Sequence, residues 1–287
     1  MIAINGLGRH NSIPDQHQPD LAAELRSLSG KVYRRTDHFI QLAIIGAHKA
    51  AAGHELVPQT AIYMTSGQGN ISVFDRICDQ RHVRKELPRP VDFINLLSNS
   101  AGFYVAGHLG LKGKNLFVSH QHFPVQMALL AVQNDMQLGR EQAALIGGVD
   151  EWIPRQDLAH TLLGLDQTTV LGEGSNWLLV GKRGKKALAH LAVTPRILDL
   201  RQLQQLLATV EPETSLAFGK RLTAAEIATI MALTKGCPRY CYEEACGYYE
   251  TLPLYVLTRF LAAEKGRLLH IDVSEERYML MQVSTQD

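Results

Sequence analysis

The feature that most constrains this chain is a regular alternation of short apolar runs with stretches of helical periodicity, punctuated by Gly and Pro. Residues 1–5 read as a buried strand closing at Gly6, and 61–65 as another closing at Gly67. Segments 37–52, 70–83 and 92–109 carry helical spacing, with Pro88 and Pro90 breaking the last two apart. Residues 115–119 read as a strand, 124–138 as a helix opened by Pro124 and stopped by Gly139, and 143–149 and 175–183 as two further strands. From residue 188 the rhythm repeats, with strands at 188–193, 215–218, 239–242, 267–273 and 278–283 and helices at 198–209, 224–234 and 251–263. Both halves, 1–186 and 187–287, thus read β-α-β-α-β-α-β-β and are expected to form one compact unit. Such alternation enforces a largely parallel sheet covered on both faces. A duplicated order predicts an α/β fold of two sheets packed through shared helices.

Composition narrows the function classes. Apolar residues make up 46% and charged residues 20%, which excludes a disordered chain, and 29 basic against 28 acidic residues give a net charge of +1. Neither nucleic acid nor an anionic membrane is implied as a partner, and the basic stretch at 182–186 reads as a solvated turn. No run is long enough to insert into a bilayer and no basic segment precedes an apolar core at the start, so a cytoplasmic location is expected. Four cysteines suit a reducing compartment. Three of them, Cys237, Cys241 and Cys246, lie close in sequence, but their spacing fits neither a zinc ribbon nor a common iron–sulfur run, and buried structural thiols are expected with no metal.

The segment 97–119, rich in Asn and small residues before "Leu-Gly-Leu-Lys-Gly" and a strand, followed by a helix and then Gly147, Gly148 and Asp150, resembles the β-ketoacyl synthase family of thiolase-like condensing enzymes. Gly172, Glu173 and Gly174 before an apolar strand resemble the family's next motif, and residues 3–8 its opening strand. The resemblance implies a thiolase-like α-β-α-β-α layered fold. It also implies a site at the start of the helix after residue 119. In that family a cysteine stands there, its thiolate favoured by the helix's positive end, while unpaired N–H groups hold the acyl oxyanion and two histidines assist decarboxylation of a carrier-bound malonyl group.

This chain departs from that pattern at every catalytic position. Spacing back from Gly147 places His122 where the nucleophile belongs, with Gln121 before it, and no cysteine lies between Cys78 and Cys237. Ser215 takes the place of one histidine, Tyr248 of the other, and Glu243 of a lysine; Ser274, Glu275, Glu276 and Arg277 replace the closing glycine-rich turn. Such joint loss implies a non-catalytic homologue that needs no cofactor. The resemblance is to chain length factors, which pair with an active ketosynthase and work with acyl carrier protein in type II polyketide synthesis, and in its shortness to the accessory subunit of aryl polyene pigment synthesis. It implies that the strand of Asn115, Leu116, Phe117, Val118 and Ser119 meets its counterpart across a pseudo-two-fold axis, and that Phe93, Leu96, Leu97 and Phe103 shape an acyl tunnel.

Other readings remain. Phe93, Leu96, Leu97 and Phe103 also suit ordinary core packing, and His120 and His122 a hydrogen-bonded junction. A malonyl-carrier decarboxylase using Gln121 or His122, a purely structural stabiliser of a ketosynthase, and a homodimer stay open. A nucleophile built from Ser215, Tyr248 and Cys246, or zinc on His120 and His122, is disfavoured for want of a base and of a third ligand.

Overall fold

The computed structural model describes residues 1–14, 19–153, 155–181, 187–242 and 246–285. Its strands are β1 (Ile2–Ser12), β2 (Ala61–Thr65), β3 (Asn115–Val118), β4 (Ala143–Asp150), β5 (Glu173–Gly181), β6 (Ala189–Val193), β7 (Ser215–Phe218), β8 (Arg267–Ser274) and β9 (Arg277–Thr285). The helices are α1 (Leu21–Ser29), α2 (His38–Ala51), α3 (Ile71–Cys78), α4 (Pro90–Leu96), α5 (Ser100–Leu109), α6 (Pro124–Gln137), α7 (Gln156–Leu163), α8 (Leu200–Leu207), α9 (Ala224–Leu233) and α10 (Leu252–Ala263).

The strands hydrogen-bond in the order β3-β2-β4-β5-β1-β6-β9-β8-β7. Read outward from the β1–β6 join, each half runs through its own first, fifth, fourth and second strands. The third strand is β3 in the first half. In the second half it shrinks to a parallel bridge between Leu216 and Arg239, held by Leu216 N–H to Pro238 O and Tyr240 N–H to Leu216 O, each 2.8 Å. The strand expected at 239–242 is therefore only a bridge, and Pro238, which has no N–H to donate, helps to keep it short.

Alternating side chains sort the core into layers. On β9, Met279, Met281 and Val283 face inward to α6 and α10, while Tyr278 and Leu280 join Leu203, Leu207 and Ile230 on the far face. In the first half, Tyr63, Ile146 and Leu178 face the same two helices, while Ile62, Leu145 and Trp177 pack against α2 and α5. The result is helix, sheet, helix, sheet, helix, the thiolase-like α-β-α-β-α arrangement. One expectation changes: the two sheets are not separate, because Ile2 to Ile4 pair with Leu191 to Ala189 and make the sheet continuous around the central helices.

Several elements differ from the pattern read in sequence. Strand β1 runs on to Ser12 because β5 satisfies its polar end: Asn11 bonds Asn176, and the Ser12 hydroxyl donates to Glu173 at 2.7 Å. The segment 92–109 is two helices, since Ser100 turns its hydroxyl onto Ile94 O and competes with the helical ladder. Helices α1 and α7 lay unrecognised in polar stretches; Gly30 and Gly164, both left-handed, close them.

Candidate functional site

Two central helices start at the same place. α6 opens with Phe123 as cap and Pro124 as its first residue, and α10 opens with Thr251 and carries Pro253 in its first turn. His122, just before α6, and Leu252 and Pro253 of α10 line one cavity together with Gly219, Arg221, Tyr242, Tyr248, Glu250, His270 and Asp272. The cavity is small, about 20 Å3.

The head of α6 offers few free donors. His120 Nδ1 accepts the N–H of His122 at 3.2 Å and of Phe123 at 3.1 Å, so the junction is capped from within by one histidine, without Gln121. Burial, with His122 close by, lowers the pKa of His120 and keeps its ring neutral for this task. His122 Nδ1 lies 2.8 Å from the Ser274 hydroxyl and Nε2 lies 3.8 Å from Glu275, so the residue before α6 meets the β8–β9 turn. Glu275 and Glu276 hold φ of 50° and 58°, a left-handed backbone that glycine adopts without strain.

Charges fill the rest. The Arg221 guanidinium lays both ends on the buried Glu250 carboxylate, and the Tyr248 hydroxyl donates to the same carboxylate at 3.1 Å. Burial first, and then the charge of Glu250, pushes the Tyr248 phenol well above its ordinary value, so it stays a donor. Asp272 accepts from Gln126 Nε2 at 3.0 Å, and burial raises its pKa. His270 is pushed down to about 3 by burial, is therefore neutral, and leaves Nδ1 without a partner.

Glycines of the first half make the seat for residues 246–251 of the second. A methyl group on Gly67 would fall 2.1 Å from Glu250 Cβ, on Gly148 2.8 Å from Thr251 Cβ, on Gly172 2.0 Å from Cys246 O, and on Gly174 2.4 Å from the Tyr249 ring. Hydrogen bonds bind the seated loop: Gly172 N–H to Tyr248 O, Tyr248 N–H to Val170 O, and Thr251 N–H to Asp150 Oδ2 at 2.7 Å. The other Asp150 oxygen accepts from Ser66 Oγ and from Gly67 and Gln68 N–H, and burial raises this carboxyl to about 6. Next to it, burial lifts Glu151 to about 7.

The positions singled out in sequence are only partly brought together. His122 and Tyr248 share the cavity with the 274–275 turn beside them. Gln121 is exposed at the surface. Ser215 begins β7 opposite Leu268, about 13 Å along the chain before Gly219, and lies outside the cavity lining; the loop after β7, not its start, supplies the neighbouring side chains. Glu243 and the basic stretch 182–186 lie outside the described residues. Cys246 is buried and pushed up to about 12, which leaves its thiol protonated, and no Ser215–Tyr248–Cys246 arrangement forms. Among the described residues no cluster of three His, Cys, Asp or Glu is placed to hold a metal ion, and no helix is long and apolar enough to cross a membrane. Sequence reading missed Arg221, Glu250 and Asp272; the signal that could have found Asp272 is its place two residues from His270, on one face of β8 between apolar neighbours.

The other singled-out residues lie at the sheet's edge. Among the described residues β3 pairs with β2 alone, and Leu116 is 39% exposed. Phe93, Leu97 and Phe103 are 62%, 56% and 70% exposed and Leu96 is half-buried, so the core-packing reading fails for the first three in the single chain. α4 touches α5 and α5 touches β3, with Gly102 against Asn115, so these apolar side chains gather beside a free sheet edge. Two larger grooves, about 860 Å3 between α8 and α9 and about 700 Å3 beside β1, contain no cysteine.

No family model and no curated protein sequence matches the chain. Solved structures do. An ishigamide ketosynthase/chain length factor aligns over 100% of this chain and 99% of its own, with a TM-score of 0.76 and 15% identity. A type II polyketide acyl carrier protein in complex with its ketosynthase, AntDE:AntF, aligns over 99% of both chains at 0.72 and 14%. The ketosynthase ApeO in complex with its chain length factor ApeC from Xenorhabdus doucetiae aligns over 98% of both at 0.54 and 14%. The fold is the thiolase-like fold of the ketosynthases.

Proposed function

We propose that this chain is a non-catalytic chain length factor: it pairs with an active β-ketoacyl synthase, completes the dimer, and shapes the acyl tunnel in type II polyketide or aryl polyene synthesis. The observation that carries this reading is His122 at the head of α6, in a ketosynthase-like fold, with the neighbouring N–H groups taken by His120 and no thiol in the cavity. An acyl group finds no thiol there, and the N–H groups of His122 and Phe123 are already taken.

In this reading the partner provides the cysteine and both histidines, and an acyl carrier protein delivers substrate in the cytoplasm. Residues 1–186 and 187–287 are the two halves of one unit. Asn115, Leu116, Phe117, Val118 and Ser119 form the seam, and Phe93, Leu96, Leu97 and Phe103 lie beside it as tunnel residues. The open edge of β3 and the exposed phenylalanines support that assignment; each buried aromatic ring contributes about 1.5–3 kcal/mol.

Co-expression with a neighbouring ketosynthase gene tests the reading. One complex that condenses malonyl units is expected, with no acyl loading by this chain alone. Separate elution, with full activity in the ketosynthase fraction, overturns it. The decarboxylase reading predicts acetyl carrier from malonyl carrier and the purified chain; the small closed cavity favours no turnover.

A further inference from the structure

Where the two central helices begin, this chain's own side chains take the space. Arg221 reaches in from the loop after β7 and holds Glu250 with both guanidinium ends, and Tyr248 bonds the same carboxylate. Glu250 has no room to move backward, since its Cβ and Cγ rest where a Gly67 methyl group would come within 2.1 and 2.3 Å. On the other side Asp272 rests on Gly219, with Oδ1 2.2 Å from the position of a methyl group there. What remains is the cavity of about 20 Å3, with buried His270 among its lining residues.

We infer that Arg221 and Glu250 are an internal plug that excludes acyl chains from this chain's own pocket. An ion pair suits the task. Removing Arg221 alone leaves the buried Glu250 carboxylate without its cation, and the polar surface of the pair repels an alkyl chain even where volume allows entry. Loss of the nucleophile stops chemistry, whereas the plug stops binding. With both, a pair offers a growing chain one pocket, the partner's. That consequence rests on the accessory-subunit reading, but exclusion is a property of this chain and is tested on it alone.

His122→Cys places a reporter thiol at the mouth. It is treated with N-ethylmaleimide or N-octylmaleimide, and labelling at residue 122 is read by peptide mass spectrometry, apart from Cys78, Cys237, Cys241 and Cys246. The ratio of long to short reagent cancels differences in thiol reactivity. Adding Arg221→Ala and Glu250→Ala is expected to raise this ratio at least tenfold. An unchanged ratio in a protein that still unfolds cooperatively overturns the plug. A volume-keeping pair, Arg221→Met with Glu250→Gln, is expected to leave the ratio low, and a tenfold rise there overturns the steric role. If the alanine protein does not fold, His122→Cys itself decides: its ratio must lie at least tenfold below that of an unfolded peptide of the same sequence, and equality overturns the inference. Failure of the accessory reading shows separately, as failure to co-elute with a ketosynthase.

Discussion

The two halves share one strand order and use it differently. In the first, the third strand is β3, a full edge strand with Leu116 and nearby Phe93, Leu97 and Phe103 exposed. In the second, the same position is only the Leu216–Arg239 bridge, and the chain that follows turns inward to fill the centre with Tyr248, Tyr249 and Glu250. The central helices diverge in the same way at their heads. α6 is capped by a neighbouring histidine, whereas the head of α10 is tied by Thr251 N–H to Asp150, a carboxylate from the other half. One strand order thus leaves an open edge in the first half and a filled centre in the second.

The largest effect expected from breaking this contrast is at Asp150. Asp150→Ala leaves Ser66, Gly67, Gln68 and Thr251 without their acceptor and unties the halves, at a cost of about 3–5 kcal/mol, measured by denaturant unfolding. A loss under about 1 kcal/mol means that water replaces the carboxylate and that the loop is not held from there.

The glycine seat comes next. Gly172→Ala drives a methyl group against the Cys246 carbonyl and is expected to cost about 1–3 kcal/mol in the same measurement, whereas Gly107→Ala on the exposed face of α5 meets nothing and stabilises the helix or leaves it unchanged. Equal losses at the two positions show that the seat is loose.

In the first half, Leu116→Lys puts a charge on the open edge of β3. It is expected to weaken pairing with the ketosynthase at least tenfold by co-elution or calorimetry, while the melting temperature of the single chain stays within a few degrees. Phe93→Ala is expected to lengthen the products of a reconstituted pair, and unchanged products leave Phe93 an interface residue without a tunnel role.

The smallest effect is on pH dependence. His270 lies at about 3 in the folded chain, below its unfolded value of about 6.5, so as pH falls from 6.5 the unfolded chain takes up a proton that the folded chain refuses, and stability is lost. Asp150, raised to about 6, acts oppositely: its contribution is present below the unfolded carboxyl value and lost as pH rises through 6. His270→Leu is therefore expected to remove up to about 1.4 kcal/mol per pH unit from the rise of stability with pH, between roughly pH 4 and 6. An unaltered slope means that the ring is already protonated in the folded chain.

Local pattern carried much of the fold. Residues 61–65 and 215–218 are strands with the boundaries their apolar runs suggested, and Pro124 marks the start of α6, because strand burial and proline geometry are written in a few neighbouring residues. The absent cysteine is equally a property of the sequence. Ser215 was misplaced because the position of a loop depends on where β7 ends against β8, and Arg221, Glu250 and Asp272 went unrecognised because a charge becomes part of a buried network only when distant strands bring its partner to it.

By itself, then, the sequence determined the alternating elements, their repetition, and the lack of a thiol at the head of α6. Tertiary structure alone decided that the sheet is continuous through β1 and β6, that the motif glycines receive the loop 246–251, and that Arg221 and Glu250 pair at the cavity. The physical reason is range: periodicity and turns act over a few residues, whereas van der Waals fit and paired buried charge depend on contacts such as Gly67 with Glu250, which only folding creates.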